Sequence, residues 1–229
     1  MSVIAANLQA VHRSIAAAAQ QAGRQPLDVA LLAVAKTVPP TVVRTAFDAG
    51  QRAFGENYVQ EGVDKIVALA DLRSQLEWHF IGPLQSNKTR LVAEHFDWVH
   101  ALDRFKIAER LSAQRPAGMA PLQVCIQVNI SGEASKSGVP PAQALELARA
   151  VAGLPGLRLR GLMAIPEPAS APAAQRRPFA AMRELLAALR EAGLDVDTLS
   201  MGMTADMEAA IAEGATIVRI GTAIFGARA

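Results

Sequence analysis

The chain has 229 residues, 51% hydrophobic and 19% charged, and its 23 Lys and Arg against 21 Asp and Glu leave a net charge of +2. A chain of this length buries about 70% of its unfolded surface, and the balanced charge, with no run of Lys and Arg and no interleaved aromatics, argues against a nucleic-acid surface. The one cysteine, Cys125, rules out an intrachain disulfide framework and suits a reducing cytoplasm, while no segment reaches the ~18 apolar residues of a membrane helix.

The first 23 residues, MSVIAANLQAVHRSIAAAAQQAG, lack the basic start of an export signal. Ile4, Leu8, Val11 and Ile15 fall on one helical face, which predicts a helix packed on the body and ended near Gly23. Beyond it, eight apolar strand-like runs alternate with helix-period segments. The strands are expected at 29–35, 52–55, 78–81, 98–101, 122–129, 157–164, 198–201 and 216–220. Helices are expected at 40–49, 58–70, 87–94, 104–114, 141–152, 178–192 and 204–213. Such alternation within one domain, residues 1–229, predicts an α/β fold: a single (β/α)8 TIM-type barrel with an extra N-terminal helix. A doubly wound open sheet satisfies the alternation too. The four prolines of residues 165–178 predict one long surface loop there.

Polar residues gather at the carboxyl ends of the predicted strands, the face that carries the site in a barrel. The first is Lys36 in LLAVAKTVPP, which follows an apolar run and precedes two prolines. At the edge of a core an amine can lose its charge and become a nucleophile toward an aldehyde; the alternative is a stem laid along the rim with its charge in water. Near the other end, LSMGMTADMEAAI places Ser200 at a strand end, Gly202 in a turn and Thr204 at a helix cap. TIVRIGTAIFG places Arg219 inside an apolar strand, followed by Gly221 and Thr222. Loops after the seventh and eighth strands are the usual phosphate site of such barrels, with Ser200, Gly221 and Thr222 as donors. Arg219 needs a partner, either a ligand atom or a buried carboxylate such as Glu56. A phosphorylated aldehyde with a ring nitrogen, pyridoxal 5′-phosphate (PLP), fits all three handles. A sugar-phosphate aldolase would use the first two.

The strings AVAKTVPP, FGENYVQEG, WHFIGPLQSNKTR, QVNISGEASKSG, RGLMAIPEP and LSMGMTADMEAAIAEGATIVRIGTAIFG, in this order, resemble the YggS/PROSC family of pyridoxal phosphate homeostasis proteins. The resemblance implies an alanine-racemase-like barrel with Lys36 as the covalent Schiff-base lysine. It also implies Arg219 beside the pyridine nitrogen, phosphate contacts from Ser200, Gly221 and Thr222, and Asn57 of the GEN motif in the pocket. Met163, Met201, Met203 and Met207 read as core filler; Met163 and Met201, at strand ends, stay among the cofactor-binding candidates, Met163 against the ring.

An arginine at the ring nitrogen is expected to keep it unprotonated and weaken the electron sink, and racemisation needs a second base, which related racemases draw from a β domain not expected in this chain. Tyr58, the sole tyrosine, is a poor replacement. The expectation is therefore a monomeric cytoplasmic carrier that holds PLP, serves vitamin B6 and amino-acid balance, and supplies PLP-dependent apo-enzymes. The alternatives are a fold-type III enzyme with weak racemase or lyase activity and a class I aldolase. No metal is expected: His12, His79, His95 and His100 have no ligand spacing, and WHFIG makes His79 a hydrogen-bonded residue of the core or pocket wall. Lys88 and Arg90 read as solvated charges.

Overall fold

The computed structural model describes residues 2–133 and 136–226. Ala134 and Ser135 of the QVNISGEASKSG string, and the ends of the 1–229 domain span, lie outside the described residues. Helix α1 (Val3–Gln21) precedes an alternating series: β1 (Ala30–Val34), α2 (Pro40–Asp48), β2 (Ala53–Glu56), α3 (Val59–Ala68), β3 (Glu77–Phe80), α4 (Thr89–His95), β4 (Trp98–Leu102) and α5 (Phe105–Gln114). The second half continues with β5 (Leu122–Gln127), α6 (Pro141–Ala152), β6 (Leu157–Met163), α7 (Pro172–Glu191), β7 (Thr198–Ser200), α8 (Met207–Ala212), β8 (Ile217–Ile220) and the short α9 (Thr222–Phe225). All eight strands are parallel, each paired with the next, and β8 closes on β1 with Arg219 opposite Leu32. The open-sheet alternative is thereby removed.

Strands buried on both faces need apolar residues on both, which is why these runs are nearly continuous rather than alternating. Outward side chains such as Leu31, Ala33, Leu199 and Val218 join the main core beneath the helices. The barrel's interior is different. Two small apolar clusters, Leu32 with Ile81 and Ile217, and Trp98 with Ala101, Cys125 and Met163, share it with buried polar residues, among them His79, His100, Ser200 and Arg219.

α1 buries Leu8, Val11, Ile15, Ala18 and Ala19. It is tied to the last unit, where Asn7 Nδ2 donates to the Ile224 carbonyl at 2.9 Å. Two element starts depart from the expected ones by more than two residues. The expected 165–178 loop is shorter, because α7 starts at Pro172 and carries Pro178 inside it. Pro172 occupies the first helical position, where a missing N–H costs nothing, and Phe179, Met182, Leu186 and Leu189 anchor the remainder. α8 starts at Met207 with Asp206 as its cap residue, so Thr204 is not a helix cap but part of the preceding turn. Among the described residues no helix is long and apolar enough to cross a membrane.

Candidate functional site

A cavity of 580 Å³ opens at the carboxyl end of the barrel. Lys36, Asn57, Thr204, Arg219, Gly221 and Thr222 line it, and Ile81, Ile165 and Met203 supply apolar wall.

Lys36 stands two residues past the end of β1, partly buried, on a turn whose next residue, Thr37, has φ +65. A threonine in the left-handed region is strained by roughly 1–2 kcal/mol, so neighbours must hold it. The Thr37 amide donates to Glu61 Oε1, and Glu61 in turn accepts from Lys65 Nζ at 2.6 Å. Lys65 also donates to the Ala35 carbonyl and, at 2.8 Å, to Glu56 Oε1. The backbone on both sides of Lys36 is thus fastened to one ionic cluster. Within it, burial pushes the Glu56 carboxyl up to about 7, with the Lys65 ammonium drawing it back. Glu56 therefore serves Lys65 and not Arg219, which settles the carboxylate alternative for the arginine. Just past the end of β2, Asn57 is set by a backbone approach that only glycine permits: a Cβ on Gly82 would lie 2.1 Å from the Asn57 carbonyl oxygen. Its buried Oδ1 has no partner among the described residues.

Arg219 is 4% exposed. Nη1 donates to the Ser200 carbonyl at 2.6 Å and to Ser200 Oγ at 2.8 Å, and Nη2 donates to the Ala164 carbonyl at 2.9 Å. Burial lowers its pKa to about 10, so the guanidinium remains charged at neutral pH while no carboxylate lies within ion-pair reach among the described residues. A buried cation held only by carbonyl and hydroxyl oxygens is costly. One face of it is on the cavity.

The β7–α8 and β8–α9 turns form the far wall. Gly202, with φ +95, turns the chain sharply after β7 and accepts from the Arg219 amide at 2.9 Å. Asp206 Oδ1 accepts from the Met203 amide at 2.6 Å and shapes the turn that puts Thr204 on the cavity. Thr222 begins α9 and faces the same space, its amide being one of the orphan donors of a first helical turn.

The structure brings Lys36, Asn57, Arg219, Gly221 and Thr222 together from opposite ends of the chain. It does not bring Ser200, Met163 and Met201 to the cavity wall. Ser200 is fully buried one layer below, its hydroxyl engaged by Arg219 and, at 2.7 Å, by His100 Nδ1. Met163 packs with Trp98, Ala101 and Cys125 inside the barrel, and Met201, one residue past inward Ser200, turns outward into the main core. The Ser200 hydroxyl, expected as a phosphate donor, lies buried as a support for Arg219, and the hydroxyl residues that line the cavity are Thr37, Thr204 and Thr222. Lys65 and Glu61 escaped the sequence reading, which named Glu56 only as a candidate partner of Arg219. The i,i+4 spacing of Glu61 and Lys65 was visible, but it reads equally as a solvated pair.

Residues 6–229 match the alanine racemase, N-terminal domain family. This chain belongs to that family. Within the alanine racemase N-terminal domain family, the chain is 63% identical over 228 residues to the pyridoxal phosphate homeostasis protein of Pseudomonas aeruginosa, covering 100% of this chain and 97% of that protein. It is 60% identical over 229 residues to the protein of the same name from Escherichia coli, covering 100% and 98%. Among solved structures, PipY of Synechococcus elongatus with PLP bound superposes with a TM-score of 0.85 at 38% identity, covering 97% of this chain and all of that one.

Proposed function

We propose that this protein binds pyridoxal 5′-phosphate at the carboxyl mouth of the barrel and acts in PLP homeostasis, holding the cofactor rather than turning over an amino acid. One observation carries the reading: a buried, uncompensated guanidinium and a lysine amine open on the same cavity, with threonine hydroxyls between. The names of the relatives and the PLP in the related structure point the same way.

The residues present fit the cofactor. Lys36 would take the aldehyde, Thr204, Gly221 and Thr222 the phosphate, and Arg219 the ring nitrogen, while the unpartnered Asn57 Oδ1 is free for the ring's polar edge. When bound, the cofactor supplies an electrophilic aldehyde and an aromatic ring able to withdraw electrons. Arg219 has no proton acceptor and stays cationic, so it opposes protonation of a nitrogen facing it and limits that withdrawal. Ile81, Ile165 and Met203 exclude water from one side of the space. Among the described lining residues Lys36 is the one amine, with no carboxylate or imidazole beside it, and Tyr58 lies exposed outside the cavity lining. One-sided proton handling disfavours racemisation.

The same reading takes residues 1–229 as one monomeric, cytoplasmic cofactor-binding domain that passes PLP to apo-enzymes. The test is the visible spectrum and borohydride trapping of the purified protein with PLP beside Lys36→Ala. The wild type should give a lysine-bound absorption band and a reduced adduct mapped to Lys36, and the variant neither. A wild type that stays colourless with excess PLP refutes the assignment, and sustained turnover of any common amino acid refutes the carrier role.

A further inference from the structure

Below the cavity, a single row of hydrogen bonds runs through the barrel. Arg219 Nη1 reaches Ser200 Oγ at 2.8 Å and Ser200 Oγ reaches His100 Nδ1 at 2.7 Å. His100 Nε2 then meets His79 Nδ1 at 2.9 Å, and His79 Nε2 meets Glu77 Oε1 at 2.7 Å. The four inner members are 0–4% exposed, while the Glu77 side chain is 48% exposed at the amino-terminal mouth. There a second cavity, of 290 Å³, is lined by Glu77, His79, Arg160 and Asp197. The row therefore spans the barrel from one opening to the other.

Its two ends fix its polarity. A guanidinium can only donate, so Ser200 Oγ must accept from it, and a carboxylate can only accept, so His79 Nε2 must carry a proton. With neutral rings this leaves one consistent pattern: Ser200 O–H donates to His100 Nδ1, His100 Nε2–H to His79 Nδ1, and His79 Nε2–H to Glu77. Every bond points the same way. The pattern agrees with the surroundings: burial, then His79 and Arg219, keep His100 from ionising, and the bond from His79 lowers the Glu77 pKa. His79 is held flat against Trp98, with centroids 5.2 Å apart and planes 11° apart, and Arg160 caps Trp98 at 4.8 Å. The charged or titratable groups facing the row are Arg160 of β6, Asp197 before β7, Cys125 of β5 and Asp206 before α8.

We propose that Ser200, His100 and His79 are positioning residues that couple Arg219 to Glu77, so that Glu77 acts as the remote counter-charge of the site arginine and a proton arriving at the far mouth is felt at the cofactor. Adding a proton to His79 makes its Nδ1 a donor. His100 must then accept at Nε2 and donate from Nδ1, and Ser200 Oγ becomes acceptor to both His100 and Arg219. One proton is gained and two hydrogen bonds reverse, His79–His100 and His100–Ser200, up to the residue touching Arg219.

The proposal rests on the PLP reading for its consequence but not for its first test, which needs only the protein. Imidazole nitrogen NMR of the unliganded protein at pH 8 should show His79 and His100 both neutral and protonated at Nε2. In Glu77→Gln, an exposed position where the side chain can accept or donate, both rings should shift toward mixed tautomers while the melting temperature stays within a few degrees. With PLP bound, the midpoint of the pH-dependent absorption change should fall by about half a unit in Glu77→Gln, the order of magnitude of one remote charge at an effective dielectric of ~20. An Nδ1–H tautomer in either wild-type ring, or a Glu77→Gln protein with tautomers and midpoint both unmoved, overturns the proposal. Failure of PLP to bind would remove the spectral measurement and leave the tautomer test decisive.

Discussion

Lys65→Met removes the ammonium that fastens both flanks of Lys36. Its side chain is 4% exposed and that of its partner Glu56 is 0% exposed, so the variant leaves a buried carboxyl without its cation and the Ala35 carbonyl without its donor. Breaking such a buried pair costs about 3–5 kcal/mol. Protonation of Glu56 relieves part of that, since its pKa is already raised to about 7 with Lys65 present and rises further without it. The unfolded chain gives up this proton near pH 4.5 while the folded variant keeps it, so stability must fall as pH rises through neutrality, by up to ~1.4 kcal/mol per unit. Urea unfolding at pH 6 and pH 8 measures this. Adding Glu56→Gln should remove the extra pH dependence and recover much of the loss. With Glu61 and Thr37 released, borohydride trapping of PLP on Lys36 should also slow, with most of that defect remaining in the double variant. A loss below 1 kcal/mol, or stability that rises from pH 6 to pH 8, would refute the fastening of the Lys36 turn by this cluster.

Three other substitutions probe separate parts of the barrel. Thr204→Ala should weaken PLP binding about tenfold or more, the loss of one hydrogen bond to a charged group, whereas Ser200→Ala should act mainly on stability by about 1–3 kcal/mol; fluorescence titration and urea unfolding reverse this order if Ser200 is the phosphate donor. Because His100 is held neutral in the folded state and charges below pH 6.5 in the unfolded one, it should cost the protein roughly 1.4 kcal/mol between pH 7.5 and 5.5; a His100→Gln protein with the same acid slope contradicts that. Gly202→Ala places a Cβ 2.6 Å from the Ala210 Cβ at φ +95 and should cost about 2 kcal/mol or more, against ~1 kcal/mol for Gly23→Ala at φ +69 in open space. Equal losses in calorimetry would show that the close approach does not matter.

Alternating apolar runs sufficed to place eight strands, and apolar content on both strand faces sufficed to make them parallel and buried. Lys36, Arg219, Gly221 and Thr222 were legible because each breaks an apolar run at a strand end, where a barrel gathers its site. Asn57 stands with them at a strand end, and its pocket role came through the family resemblance. What the sequence could not decide was which neighbour lies one layer down. Ser200 and Thr204 are both hydroxyl residues at the end of one strand, and their separation into a buried support and a cavity donor depends on the Gly202 turn and on the Asp206 carboxylate that accepts from the Met203 amide. Lys65 looks like an ordinary helix charge until α3 is laid against β1 and β2. The row from Arg219 to Glu77 joins β8, β7, β4 and β3, residues up to 142 positions apart whose contact exists only because the sheet closes. Period and composition are local properties of the chain, whereas the partner of a buried charge is fixed by closure.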